Sequence, residues 1–341
     1  MPFGVFSYFG DLFFLFVFPG ILFCIGYALF LEWVYRKFFA DLQNRIGPRY
    51  TGPRGLLQPL ADFIKLMAKE DIVPKGADRL GFTLTPIIML TLTIFGLLLV
   101  PIVPIYGFSG LISFQGDVIF VIFLMTIMAI SIVLAGWFSA NRYSETGSAR
   151  AGMQLVGYEI PLTLALISPA IIAKQLSIGG IASYQVVHGY LILYAPFAFA
   201  IYIICLLAEL QKLPFDIPEA HTEIVAGWQT EFSGRKYAFF HLANDLEMLF
   251  GAGIATAFFL GGPAPPLGIL SFGAGFEWLT YSVWFIVKAF LVVLLLSGIS
   301  VLLGRWRIDQ MIRGSWRYLI PLSIAQLILI EVLMVFGYIP L

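Results

Sequence analysis

Carboxylates are concentrated in one segment of this sequence, between two long apolar runs. The segment carries Glu209, Asp216, Glu219, Glu223 and Glu231. Asp216, Glu219 and Glu223 are spaced three and then four residues apart, so in a helix they would share one face. Carboxylates held together in a low-dielectric environment have raised and coupled pKa values. The pattern therefore predicts a proton relay in this segment.

A solvated acidic surface is the simpler explanation of such a charge run, because like charges at helical spacing repel one another. The residues around the carboxylates weigh against it. They are apolar or proline: Pro214, Phe215, Ile217, Pro218, Ile224, Val225 and Trp228. His221 lies between two of the carboxylates, where it could titrate in the same pH range or cap the segment by a hydrogen bond.

Further ionisable residues lie inside long apolar runs. Glu159, Asp245 and Glu247 are the clearest cases. An ionisable group in the bilayer core costs several kcal/mol unless it faces a polar interior. We therefore expect these three to take part in function, whereas Glu32, close to the end of an apolar run, is expected to reach the interface by snorkelling. Lys288 and Glu331 could serve either function or contact with a neighbouring subunit.

The elements that must position these groups are membrane-spanning helices. Of the 341 residues, 60% are hydrophobic and 12% are charged, whereas soluble domains carry about 25% charged residues. The sequence predicts an all-α integral membrane protein, with residues 1–341 forming a single membrane domain. A span needs about 20 mostly apolar residues. Eight such runs are present, at residues 9–33, 84–106, 116–138, 152–174, 187–209, 237–260, 277–303 and 318–338.

Basic residues support this layout. Eighteen of the 20 Lys and Arg residues lie in four alternate loops. These loops comprise residues 34–83, 139–151, 210–236 and 304–317. The positive-inside rule then places these loops in the cytoplasm and both termini outside a cell membrane that the chain crosses many times. The net charge of zero gives no reason to expect nucleic acid as a partner.

Two cytoplasmic loops are too long to be simple connections. Residues 210–236 form the acidic loop. In the loop of residues 34–83, apolar residues recur at helical spacing: Leu56, Leu60, Phe63, Ile64 and Met67. This spacing predicts an amphipathic helix that lies either in the membrane interface or against a partner subunit.

The two cysteines indicate where redox chemistry must reside. Cys24 and Cys205 each lie in an apolar run, and they resemble neither a disulfide framework nor a metal site. We therefore expect no cofactor bound by this chain itself, and any iron–sulfur cluster or flavin to be held by partner subunits.

Long motifs in the sequence resemble a known family. Residues 44–62, NRIGPRYTGPRGLLQPLAD, are followed by Lys65-Leu66 and Lys69-Glu70. The acidic loop contains PFDIPEA at residues 214–220, EIVAG at 223–227 and TEFSG at 230–234. Residues 154–155, 158–162, 305–310 and 316–317 fit the same pattern. Together these segments resemble the ND1 family of respiratory complex I subunits.

The resemblance implies a membrane-arm subunit where the membrane arm meets the peripheral redox arm of an energy-converting complex. Such a subunit contributes a quinone-type cavity, and it couples electron transfer to H⁺ or Na⁺ translocation. Its implied partners are the peripheral redox-arm subunits, antiporter-like and small membrane subunits, and lipid. The residues implied for the cavity or redox-arm interface are Arg45, Gln58, Asp62, Arg305 and Arg307. Those implied for the acidic path are Glu159, Asp216, Glu219, Glu223 and Glu231, to which we add Asp245 and Glu247.

Several residues depart from the respiratory pattern of that family. His221 replaces an expected Glu, Gln211-Lys212 replaces Asn-Arg, residues 145–147 are more polar than expected, and Asn244 stands where a Glu is expected. These differences keep open a related archaeal, ferredoxin-linked complex that uses no quinone. A free-standing secondary transporter and an inert membrane anchor are further alternatives. The absence of a convincing internal repeat disfavours the transporter.

Overall fold

A computed structural model describes residues 5–103, 108–266 and 277–338. Within these residues the chain forms helices and turns and no strand, in agreement with the expected all-α class. The α-helices of the described residues, in chain order, are α1 Val5–Phe16, α2 Ile21–Leu42, α3 Gln58–Ala68, α4 Arg79–Leu99, α5 Asp117–Phe138, α6 Arg142–Ala173, α7 Ile178–His188, α8 Pro196–Glu209, α9 His221–Ile224, α10 Gly234–Phe259, α11 Glu277–Leu302, α12 Ile308–Gly314 and α13 Ile320–Val335.

Six helical segments of the described residues are long and apolar enough to cross a membrane. They are Leu12–Leu42, Arg79–Leu99, Asp117–Phe138, Arg142–Ala173, Trp278–Leu302 and Ile308–Val335. The last joins α12 and α13 through a π-helical turn at Ser315–Leu319. Each of the six overlaps one of the predicted spans. The chain is therefore a multi-pass α-helical membrane protein.

The two remaining predicted spans contain α8 and α10. With 14 residues, α8 is about 21 Å long, which is shorter than the hydrocarbon core of a bilayer. By contrast, α10 has 26 residues but also carries Arg235, Lys236, Asp245 and Glu247. The helix is long enough to cross a membrane, but its charged and polar residues make it less apolar than the six segments.

The predicted start of the fifth span was wrong, whereas its predicted end at residue 209 coincides with the end of α8. Residues 187 and 188 still belong to α7, and α8 begins only at Pro196. The chain turns at Gly189, which adopts φ +93°, a conformation that favours glycine. Pro196 then occupies the first turn of α8, where proline needs no backbone donor. The predicted end of the second span, residues 104–106, lies outside the described residues, while α4 ends at Leu99.

The core of the described bundle is built around α10. This helix packs against α2, α4, α8 and α11, and every residue from 245 to 259 is buried. Large aromatic side chains fill the space around its first turns. Phe82 stacks on Phe232 with ring centroids 4.1 Å apart, and Trp228 meets Phe240 edge to face at 4.9 Å.

Both ends of α10 are held by charged side chains. At its start, the buried ammonium of Lys236 lies 2.6 Å and 2.7 Å from the two carboxylate oxygens of Asp71, in the segment after α3. Just beyond its end, Lys288 of α11 donates to the carbonyls of Leu260, Gly262 and Ala264 at 2.5–2.9 Å. These carbonyls have no partner within the helix, so the ammonium stabilises the end of α10 as basic groups do at helix C-termini.

Candidate functional site

The amphipathic helix predicted from residues 56–67 is confirmed as α3. Pro59 occupies its first turn, where the fixed φ of proline suits a helix. Pro59 and Leu66 are buried, whereas Leu60 and Ile64 are 41% and 58% exposed. The helix therefore directs one side toward the bundle and leaves part of its apolar face uncovered.

The inward side of α3 begins a polar network. Thr51 Oγ1 donates to Gln58 Oε1 at 2.6 Å, and Gln58 Nε2 donates to Asp62 Oδ1 at 2.9 Å. Asp62 in turn accepts from Arg36 Nη1 of α2 at 3.0 Å. Arg36 Nε also donates to Glu32 Oε1 at 2.7 Å. The Arg36 guanidinium thus joins a carboxylate of α3 to a carboxylate of α2.

From α2 the network continues to α10 and to the acidic loop. Arg36 Nη2 lies 3.1 Å from His241 Nε2, and His241 Nδ1 lies 3.4 Å from Asp245 Oδ2. The second oxygen of Glu32 lies 3.7 Å from the Lys212 ammonium. The expectation that Glu32 snorkels to the interface was wrong, because its side chain is 5% exposed and paired with two cations.

Beyond Asp245 lie carboxylates with few hydrogen-bond donors. Glu209 and Glu247 are buried, and neither oxygen of Glu209 has a hydrogen-bond partner among the residues that the structure describes. Glu209 interacts electrostatically with Glu247 and Glu159. Glu159 accepts a short hydrogen bond from Thr126 of α5, and its second oxygen is unpaired. Unpaired buried carboxylate oxygens are costly as anions. The arrangement favours carboxyl groups that take up protons or bind water.

Asp216, Glu219 and Glu223 do not share a helix face, because the segment that carries them is not one helix. Only His221–Ile224 is helical in this part of the loop. Pro214 and Pro218 explain the difference, since each lacks an N–H and disfavours a helical conformation in the residue before it. Buried apolar side chains hold the loop in place instead, among them Phe215, Ile217 and Trp228.

Each carboxylate of the acidic loop has its own partner. Asp216 forms a two-oxygen ion pair with Arg305, which also donates to Thr222 at 3.1 Å. Glu223 pairs with Arg150 of α6 at 2.6 Å. The other two accept short amide hydrogen bonds: Glu219 from Gln229, and Glu231 from Asn141. His221 Nδ1 lies 2.9 Å from the carbonyl of Val225, which agrees with a capping role.

Because of these different surroundings, the carboxylates of the loop differ in proton affinity. Burial raises the pKa of Glu219 to about 7, although the nearby Lys212 lowers it. The hydrogen bond from Arg150 holds the pKa of Glu223 below its usual range. Hydrogen bonding to Asp216 raises the pKa of the Arg305 guanidinium. Of these groups, Glu219 is the one able to exchange a proton near neutral pH.

Comparison with known proteins shows the family of this chain. The sequence profile of the NADH dehydrogenase family matches residues 15–331. A similar relative is a subunit of the NADH-quinone oxidoreductase of Geobacter sulfurreducens, which is 35% identical over 329 residues, covering 92% of this chain and 91% of that protein. The chain belongs to the ND1 family of NADH dehydrogenase subunits.

Family membership confirms the resemblance drawn from the signature motifs, and the structure shows where those motifs lie. The first motif forms the turn before α3 and α3 itself, and contributes Gln58 and Asp62 to the network. Arg45 of that motif is exposed and donates to Gln43 at 2.8 Å. The second motif forms the acidic loop, where Arg305 binds Asp216. Arg307 is exposed and interacts electrostatically with Glu223.

Sequence reasoning gave no site role to Glu32, Arg36, Lys212 and His241, and it did not place Glu209 inside the bundle. Glu32 and Arg36 are four residues apart in an apolar helix, which is itself a signal of a buried ion pair. Glu209 was counted with the loop although it ends α8. Lys212 and His241 carried no such signal, because their partners Glu32 and Arg36 come from a distant part of the chain.

Proposed function

We propose that this chain is a membrane-arm subunit of a complex I-like oxidoreductase, placed where the membrane arm meets the peripheral redox arm. In that position it couples electron transfer on partner subunits to the translocation of H⁺ or Na⁺. One observation carries the proposal: ionisable groups linked by hydrogen bonds and electrostatic interactions lead from α3 to carboxylates deep in the bundle, and Lys212 acts on both Glu32 and Glu247.

The outer part of the series is rich in paired charges. Asp62, Arg36 and Glu32 are joined by direct hydrogen bonds, and His241 connects Arg36 with Asp245. A change of charge next to α3 would shift the proton affinity of its neighbours, since one pKa unit corresponds to about 1.36 kcal/mol. A few coupled groups can therefore transmit several kcal/mol without a large movement of the backbone.

The inner part of the series is suited to proton storage. Glu209 interacts electrostatically with both Glu247 and Glu159, and among the described residues each of the three has a carboxyl oxygen without a hydrogen-bond partner. Like charges in such surroundings do not all ionise, so a proton arriving at one group alters the others. This behaviour passes a perturbation sideways through the membrane toward antiporter-like partner subunits.

The same end of the bundle supports a quinone-type cavity completed by the redox arm. Gln58 and Asp62 hold polar groups next to the exposed apolar surface of α3, and Arg305 adds a cation at the acidic loop. The relative from Geobacter sulfurreducens is a subunit of an NADH-quinone oxidoreductase by name. In this proposal iron–sulfur clusters reside on partner subunits and this chain holds no redox centre.

A ferredoxin-linked complex without quinone is the second candidate. It is favoured by the residues that depart from the respiratory pattern, among them Lys212, whose ammonium binds Glu32 at the centre of the network. The subunits that co-purify with this chain distinguish the two. A hydrogenase-like or sulfur-reducing partner would select the second candidate.

Charge-removing substitutions test the coupling role. Glu159→Gln and Glu223→Gln keep the size of each side chain and remove its charge. We expect both variants to assemble and to lower coupled turnover and ion pumping in proteoliposomes, on the order of 10²-fold if a positioned proton-transfer group is lost. Glu331→Gln, on the exposed side of α13, is the matched control.

Wild-type pumping by both assembled variants would overturn the relay and leave the inert anchor as the better account. Ion transport by the purified chain alone, without partner subunits, would instead favour the free-standing transporter.

A further inference from the structure

A two-part depression lies beside α12 and the π-helical turn, outside the carboxylate series. Its shallow part has a volume of about 460 Å³ and is lined by Gln310, Arg313, Arg317 and Tyr318, among others. Its deeper part is a cavity of about 130 Å³ reaching Tyr158, Cys205 and Ala208. Trp306, Gly314 and Tyr318 line both parts, so the two are adjacent.

The shallow part is basic. Arg313 and Arg317 are four residues apart, both exposed, so they project from the same side of the helical segment. Among the described residues, no carboxylate lies within ion-pair distance of either guanidinium. The Arg317 guanidinium lies over the Tyr318 ring, 5.6 Å from its centroid. Two adjacent guanidinium groups without a carboxylate partner suit a phosphate, which they can bind with several hydrogen bonds.

The deep part is apolar. Met311, Cys205 and Ala208 are buried, and Phe215 and Trp306 close one side with their rings 5.4 Å apart, edge to face. The cavity lies beside the basic depression, between α6, α8, α12 and the π-helical turn. A ligand filling both parts must join an anionic group to a flexible apolar chain.

The position of the two arginines within the membrane-spanning segment also fits a lipid ligand. Arg313 and Arg317 lie in the first turns of the span Ile308–Val335. Trp316 and Tyr318 beside them are 53% and 64% exposed, and exposed Trp and Tyr are typical of the bilayer interface. Basic pockets between helices at the cytoplasmic side bind the headgroups of anionic lipids.

We propose that this depression binds one anionic glycerophospholipid, with its phosphate between Arg313 and Arg317 and one acyl chain in the cavity that ends at Tyr158. The bound lipid fills the gap between α8 and the segment of α12 and the π-helical turn, at the end of the bundle where the acidic loop lies. It thereby keeps bulk water away from the neighbouring Glu209 and Glu159.

Photocrosslinking in the assembled complex tests this site. The complex is reconstituted in phosphatidylcholine vesicles that contain phosphatidylglycerol with a diazirine in one acyl chain. We expect crosslinks to Tyr158, Cys205 and Met311, removed by unlabelled phosphatidylglycerol but not by phosphatidylcholine or inorganic phosphate. Equal labelling by a phosphatidylcholine analogue, or competition by inorganic phosphate, would overturn the proposal.

Variants separate the two halves of the site. Arg313→Gln and Arg317→Gln are each expected to weaken labelling about fivefold, and both together roughly 25-fold, from the attraction of one basic residue to anionic lipid. Gly314→Leu keeps both arginines and fills the cavity, and its helical φ of −62° accepts a side chain. The control is Arg79→Gln with Arg142→Gln, two exposed arginines elsewhere at helix starts.

Unchanged labelling in the double arginine variant would refute the headgroup assignment. A photoreactive residue at Trp316 that captures a partner subunit and no lipid would show that a protein covers the depression. If a variant fails to assemble, the competition experiment on the unmodified complex still decides the outcome.

Discussion

Glu219 offers the sharpest test of the relay, because its proton affinity differs from that of a carboxylate four residues away. Burial raises the pKa of Glu219 to about 7, whereas Arg150 lowers the pKa of Glu223. Between pH 6 and pH 8 the ionised fraction of a group with a pKa of about 7 rises from about one tenth to about nine tenths. Over the same range Glu223 stays fully ionised.

A relay carboxyl accepts a proton only in its ionised form, so the Glu219 contribution to coupled turnover grows as pH rises through about 7. We expect the coupled rate of the intact complex to increase severalfold from pH 6 to pH 8. Glu219→Gln should remove this increase and leave a flat profile. Glu223→Gln should lower the rate at every pH without changing the midpoint of the profile.

Four neighbours also influence the titration: Lys212, His221 and His241 stabilise the ionised Glu219, and Asp216 disfavours it. The assay therefore measures ion pumping in proteoliposomes against pH, together with electron transfer in the presence of an uncoupler. A midpoint near pH 7 that persists in Glu219→Gln would show that another group titrates, and the reasoning from burial would be refuted.

Three further predictions concern topology, assembly and stability. Cysteines placed at Tyr50 and Ser183, both exposed, should be labelled from opposite sides of the membrane, and labelling from one side would contradict the eight-span layout. A crosslinker at Arg54 should capture a subunit of the peripheral arm, whereas capture of lipid alone would count against the interface assigned to the α3 region. Asp71→Asn should lower the free energy of unfolding by about 1.5–3 kcal/mol, the value of a hydrogen bond to a charged group, and adding Lys236→Met should restore part of it. Unchanged thermal unfolding of Asp71→Asn would show that the pair contributes nothing.

The sequence was most informative where the relevant pattern was local. The spacing of apolar residues in 56–67 predicted α3, because an amphipathic helix can be recognised from the periodicity of its own residues. For Asp216, Glu219 and Glu223, helical spacing was also present, but Pro214 and Pro218 prevented the helix that would have placed them on one face. Spacing alone does not show whether a segment is helical, and two prolines are the stronger signal.

The ion pairs of the network could not be predicted from local sequence patterns. Arg36 binds Glu32, four residues away, but also Asp62 and His241, which come from two other helices. Which partners a charged side chain meets depends on how helices that are far apart in the sequence pack against one another. The position of Glu209 depends likewise on α8 delivering it beside Glu247 of α10.

Lysine side chains hold both ends of α10, and this limits how the helix can move. Lys236 binds the segment after α3 at one end, and Lys288 holds the carbonyls beyond the other. A helix free at one end could relieve a new charge on Asp245 or Glu247 by tilting. Held at both ends and buried between neighbours, α10 resists tilting, so the electrostatic work done on these carboxylates is converted into changed proton affinity rather than into displacement.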